Sequence, residues 1–151
     1  MLYTQIEQDF QKAFKNHEQE SVALLRLLKA TLTNKKIEKK MGKEEILPDV
    51  EVIALLKSEI KKRQDSITMY EQGGRPELAK HEKDEIILIE KYLPAQMSDE
   101  KLIELVKSTI SEIGPVTQKD FGRVMSAVMA KADGQADGQA VSATVKQQLS
   151  I

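Results

Sequence analysis

Only two side chains in this 151-residue chain can supply an imidazole, His17 and His81, and there is no cysteine. Nucleophilic catalysis needs a nucleophile, a base within reach and a group to orient that base. His17 sits in a Glu/Gln-rich turn and His81 in a lysine- and glutamate-rich stretch; neither lies in a glycine-shaped turn beside a serine. Amidase-type Ser-Ser-Lys arrangements in Gly/Ser-rich strands are missing too. His17-Glu18-x-Glu20 is too short a cluster for a metal site. Glu44-Glu45 and Asp84-Glu85 are consecutive pairs, which diverge on a helix and make no acid/base pair from spacing alone. Gly134 and Gly138 follow a helical pattern, with no strand before them and no Gly-Lys-Ser/Thr after, so they are not a phosphate-binding loop. The expectation is solvated histidines, no catalytic residue, no metal and no cofactor.

Basic surfaces are the better lead. Arg26, Lys29, Lys36 and Lys40 fall within an arc of about 80° on one helix, beside its leucine face. Lys57 and Lys61 add a pair on the next helix. Towards the end of the chain, Lys119, Arg123, Lys131 and Lys146 flank the glycine loop that contains Gly134 and Gly138. Cations placed near phosphates give non-specific, salt-dependent affinity. Exposed backbone amides in a glycine loop beside a helix N-terminus can also hold an anion. The plainer reading is a solvated lysine-rich face. A formal net charge of −1 means that any nucleic-acid binding must come from such a local patch.

Some charges fall inside apolar stripes. Arg63 shares an arc with Val52, Ile53, Leu56, Ile60, Ile67 and Tyr70, while Glu82 and Glu85 share one with Leu78, Ile86, Ile89 and Leu93. An antiparallel hairpin closing near Gly74 brings Arg63 level with Glu85, one turn from Glu82. An Arg63–Glu85 or Arg63–Glu82 ion pair is therefore expected, because a buried arginine without a partner costs several kcal/mol. Such a pair fixes helix register. The sharper alternative, an arginine aimed at a phosphate or carboxylate ligand, is less favoured because the glutamates are already within reach.

These residues must be positioned by helices. Leu2, Ile6, Phe10, Ala13 and Phe14 mark a first helix, broken at Asn16 and His17. A second is expected over about 21–40 with Leu24, Leu25, Leu28 and Leu32 inward. A third follows from an N-cap at Asp49 to about Tyr70. Gly73-Gly74-Arg75-Pro76 is the clearest turn, glycine ending one helix and proline opening the next. The fourth helix is expected to run to Leu93 and stop at Pro94. Ser98 caps a fifth whose core face is Leu102, Ile103, Val106 and Ile110. Thr117-x-x-Asp120 is a capping-box-like start for a sixth, with Phe121, Val124, Met125, Val128 and Met129 on one face. Asp137 caps the last helix, which turns Val141, Val145 and Leu149 inward. The expected fold is all-α: a four-helix part over 1–94 with a long antiparallel hairpin, and a three-helix domain over 95–151.

Composition agrees. Aromatic residues are 4% and Trp is absent, so the core must be built from Leu, Ile, Val, Met and Ala, which favours helices. The N-terminal stretch is amphipathic without a continuous apolar run, so it is not expected to be a signal peptide. No segment approaches the ~18 to 20 apolar residues that span a bilayer. A cytoplasmic protein with no membrane partner is expected.

The last third of the chain resembles the GatB/YqeY family through Gly122, Met125, Lys131, Gly134, Gln135, Ala136, Asp137 and Gly138. The same pattern closes the tail of the B subunit of the glutamine-dependent tRNA amidotransferase. The rest resembles the stand-alone YqeY-like members, through Arg26, Lys61-Lys62-Arg63, Arg75 with Leu78-Ala79, and Tyr92-Leu93-Pro94. The resemblance implies a link to glutamine-dependent tRNA amidation, whose family label is carbon–nitrogen ligase activity with glutamine as amido-N-donor. It also implies tRNA as a partner, together with components of the amidotransferase or of an aminoacyl-tRNA synthetase. Lacking a visible site for that chemistry, the chain is expected to act as a non-catalytic tRNA-binding accessory. The alternative is a helical protein-interaction adaptor with no nucleic-acid role.

Overall fold

The computed structural model describes residues 1–150. Its elements are α1 (Leu2–Lys15), α2 (Gln19–Glu38), α3 (Asp49–Gln72), α4 (Pro76–Glu90), α5 (Asp99–Ile113), a 3₁₀ turn (Gln118–Asp120), α6 (Phe121–Ala132) and α7 (Gly138–Leu149). No strand occurs among the described residues, so the fold is all-α. Two compact units divide the chain, Met1–Leu93 and Pro94–Ile151.

In the first unit α1 packs along α2, and α3 along α4, while α3 also touches α1 and α2. The leucines of α2 face a core shared with Ile6, Ala13, Val52, Leu56, Ile60 and Ile89. Leu47, in the α2–α3 connection, is fully buried and anchors that segment. Asp49 is not the N-cap of α3. It is the first helical residue, and its Oδ1 accepts from the Leu2 N–H at 2.9 Å, tying the start of α1 to the start of α3. At the other end of the unit the Tyr92 hydroxyl donates to Asp9 Oδ2 at 2.6 Å. Burial and the adjacent Asp9 push the Tyr92 phenol far above its usual pKa, so it stays a donor.

Three helices here end in the same way. After α3, the Arg75 N–H returns to the Tyr70 carbonyl (2.8 Å) and the Gly74 N–H to Glu71 (3.3 Å), with Gly74 at φ +70°. After α1, Glu18 returns to Ala13 (3.0 Å) and His17 to Phe14 (3.3 Å), with His17 at φ +56°. After α2, Met41 returns to Lys36 and Lys40 to Ile37, both at 3.0 Å, with Lys40 at φ +56°. Two of these left-handed positions therefore carry a side chain. This also moves the end of α2 to Glu38, so Lys40 lies past the helix and off the arc expected for it. α3 runs two residues beyond Tyr70. α4 stops at Glu90, short of Leu93, because the residue before a proline is disfavoured in helical geometry. Phe14, expected with the apolar face of α1, is 59% exposed.

The second unit packs α5, α6 and α7 around Leu102, Val106, Val124, Val128, Ala132, Ala136, Val141 and Val145. Ser98 caps α5 by accepting from the Lys101 N–H at 3.3 Å. Thr117 and Asp120 form a full capping box, but it closes the 3₁₀ turn, and α6 starts only at Phe121. Asp120 is held below its usual pKa by the Thr117 N–H first, with Arg123 contributing.

A left-handed L-residue costs about 1 kcal/mol that glycine avoids. His17→Gly is expected to raise the unfolding free energy by roughly 0.5–1 kcal/mol, measured by urea unfolding. A loss of stability would show that the His17 side chain is needed.

Candidate nucleic-acid interface

The glycine corner between α6 and α7 is shaped by its backbone. Asp133 is left-handed (φ +47°) and Gly134 follows at φ +81°. The Gln135 N–H returns to the Ala132 carbonyl at 2.9 Å, and the Gln135 carbonyl accepts from Met97 N–H at 2.7 Å. Ala136 is buried in the core of this unit. Asp137 Oδ1 accepts from the Ala140 N–H at 2.8 Å and caps α7. Gly138 is the first residue of α7 and not a positive-φ residue, so the conformational demand falls on Asp133 and Gly134. The amide of Ala140 at the α7 N-terminus is thus taken by Asp137. The outward groups of the corner include two carboxylates, Asp133 and Asp137, and Lys131 forms an ion pair with Glu112.

Three other cations of this unit gather elsewhere, while Lys101 and Lys107 stand exposed on α5. Gln118 Nε2 donates to the Ser150 carbonyl at 3.2 Å, so the start of α6 meets the end of α7. There the Lys146 ammonium lies 6.0 Å from the Phe121 ring centroid. Lys119 and Arg123, both exposed, bracket Phe121 and the bare helical Gly122. A Cβ added at Gly122 would meet nothing within 4 Å, so packing does not require glycine there. The structure thus separates the six residues expected as one site. Lys119, Arg123 and Lys146 share one end of α6, while Lys131 lies in its last turn and Gly134 and Gly138 lie beyond that other end.

The second expected stripe is folded onto α1. Lys29 lies 4.4 Å and Arg26 5.9 Å from the Phe10 ring centroid, and Lys36 5.2 Å from that of Tyr3. Lys29 also approaches Glu7 (4.0 Å), and Lys36 donates to the Lys43 carbonyl (3.1 Å). These aromatic partners were not paired with the cations from sequence, although Tyr3, Phe10 and Phe14 recur at helical spacing.

Arg63 is buried and held by two carboxylates. Its Nε donates to Glu85 Oε2 and its Nη1 to Glu59 Oε2, both at 2.8 Å. Glu85, not Glu82, is the partner on α4. Glu59 was missed from sequence because it lies one turn before Arg63 on the same helix, where the pair reads as an ordinary surface pair. His81 Nε2 lies 3.3 Å from the other Glu85 oxygen. Burial alone would raise the Glu59 carboxyl, but hydrogen bonds from Arg63 and Lys62 outweigh it and hold Glu59 below its usual pKa. Burial would likewise lower Arg63, and the two carboxylates reverse this and raise it. No group of three or more His, Cys, Asp or Glu among the described residues could hold a metal ion, and none of their helices is long and apolar enough to cross a membrane.

A strand-free helical chain in two units, with a buried arginine clamp in the first and a capped glycine corner in the second, defines the class. The family model described as Yqey-like protein matches residues 3–149, so the chain belongs to the YqeY-like family. No curated protein matches the chain.

A carboxylate with a depressed folded pKa contributes stability above its unfolded pKa and loses it as pH falls through the folded value. Glu59→Gln is expected to cost about 1.5 kcal/mol near neutral pH, by replacing a charged acceptor of Arg63 with a neutral one while Glu85 stays. The gap between variant and wild type should close as pH falls below the usual carboxylate range. Urea unfolding across pH checks both, and a gap independent of pH would count against the clamp.

Proposed function

We propose that this protein is a non-catalytic tRNA-binding accessory of glutamine-dependent tRNA amidation, making its phosphate contacts at the α6 start. The observation that carries the reading is the set of Lys119, Arg123 and Lys146 around Phe121 and Gly122, where a helix N-terminus adds its own positive end. The resemblance of 122–138 to the amidotransferase B-subunit tail supports tRNA over other polyanions. Components of the amidotransferase or of an aminoacyl-tRNA synthetase are the protein partners this reading carries. The corner at Gly134 and Gly138 serves as a structural joint in it, since Lys131 is already paired with Glu112.

Phosphates neutralised by these cations release condensed counterions, so affinity must fall with salt. Three contacts give a slope of log K against log salt of about −2 to −3. Bulk tRNA should shift in a gel at low salt, and Lys119→Glu with Arg123→Glu should weaken that binding about tenfold and flatten the slope. Lys131→Glu should do much less. No shift at low salt, together with a stable protein partner in pull-down, would support an adaptor instead.

Gly122 offers a second check that separates folding from binding. Gly122→Ala should stabilise the protein by roughly 0.5 kcal/mol, because helical glycine is unfavourable and the added methyl is unobstructed. The same change should weaken tRNA binding several-fold by blocking approach to the helix backbone. Equal affinity in a stabilised variant would move the phosphate contact away from Gly122.

A further inference from the structure

α1 and α2 build a ladder in which aromatic rings alternate with charges. Tyr3, Glu7, Phe10 and Phe14 lie along one face of α1, over about 16 Å. Against them α2 sets Lys36 on Tyr3, Lys29 between Glu7 and Phe10, and Arg26 on Phe10. Phe14 continues the row, its ring centroid 6.2 Å from that of Phe10 with planes tilted by 32°. It is 59% exposed. The ladder ends in a ring in solvent, one step from Arg26.

From this we infer that the α1–α2 seam binds an unpaired stretch of RNA, with a base stacked on Phe14 and phosphates met by Arg26, Lys29 and Lys36. A single strand offers both parts of what the ladder presents. Its bases have π-faces for an exposed ring, and its backbone has regularly spaced anions for the cations. A duplex hides its base faces in the stack and leaves Phe14 unused. Glu7 lies within the ladder and faces Lys29, and Glu44 and Glu45 line the same hollow as Tyr3 and Lys36. Docking a phosphate here therefore requires Lys29 to exchange Glu7 for the ligand, which makes binding moderate and salt-sensitive. Charge complementarity is the reason for choosing RNA over a second copy of the chain, whose own ladder would present like charges. The inference rests on the RNA-binding reading above and adds a surface in the other unit with its own substrate class, unpaired nucleotides.

The test uses the full chain and two fluorescent probes, a short oligouridylate and a duplex RNA of equal length, read by anisotropy. The oligouridylate should bind more tightly than the duplex. Phe14→Leu keeps an apolar side chain without a π-face and should weaken oligouridylate binding about tenfold with an unchanged salt slope. Phe14→Tyr should bind as wild type, and Arg26→Gln with Lys36→Gln should flatten the slope. Because Phe14 is exposed, the two Phe14 variants should keep the wild-type circular dichroism and unfolding midpoint. Lys119→Glu with Arg123→Glu should weaken tRNA binding about tenfold yet keep oligouridylate binding. If Phe14→Leu leaves oligouridylate binding unchanged, or the duplex binds equally well, the inference is overturned, whereas a tRNA shift sensitive to Lys119 and Arg123 still supports the proposed function. Self-association that is lost in Phe14→Leu, with oligouridylate binding untouched, would mark a protein contact and also overturn it.

Discussion

A guanidinium inside a helical hairpin is the constraint on which the first unit depends. Arg63 cannot return to water without opening α3 from α4, and it cannot stay buried without Glu59 and Glu85. Glu59 comes with it on α3, but Glu85 must be delivered by α4. A slip of one residue would swing that carboxylate by about 100° around its helix and strand the charge. An ion pair of this kind is weak evidence of net stability and better understood as a selector of one alignment. Since α3 also touches α1 and α2, its alignment positions the cations and rings of the neighbouring hairpin.

Much of the architecture could be read from residue spacing. The leucines of α2, the glycine pair before Pro76, the Ser98 and Asp137 caps and the Thr117–Asp120 box each act through a neighbour fixed by sequence. What could not be read were partnerships across elements. Asp49 looks like a helix cap until the Leu2 amide arrives from 47 residues away. His17 and Lys40 look like ordinary polar residues, because hydrogen bonds across the turn impose left-handed geometry where no glycine advertises it. Arg63 was legible because a cation in an apolar stripe demands a partner, and angular arithmetic left few to choose from.

The candidate site was less legible for the same reason. Sequence shows where cations are and conceals which are already committed. Lys131 beside the glycine corner is matched by Glu112, Lys39 by Glu51, Lys83 by Glu71 and Lys62 by Glu59. The corner, read as an anion cradle, commits the Gln135 amide to Ala132, caps the Ala140 amide of α7 with Asp137 and leaves two aspartates facing outward. The surface positive charge that can meet a polyanion is thus a subset of the lysine count.

All three tyrosines, Tyr3, Tyr70 and Tyr92, fall in the first unit, and the chain has no tryptophan. Tyrosine emission from the intact protein therefore reports on Met1–Leu93 alone, while the domain that follows has only Phe121 as an aromatic ring. One of the three emitters, Tyr92, donates a hydrogen bond to the Asp9 carboxylate, a contact expected to quench tyrosine light in the native state. Unfolding of the first unit should brighten the sample without any label, and a far-ultraviolet signal lost at a different denaturant concentration would reveal the second melting on its own.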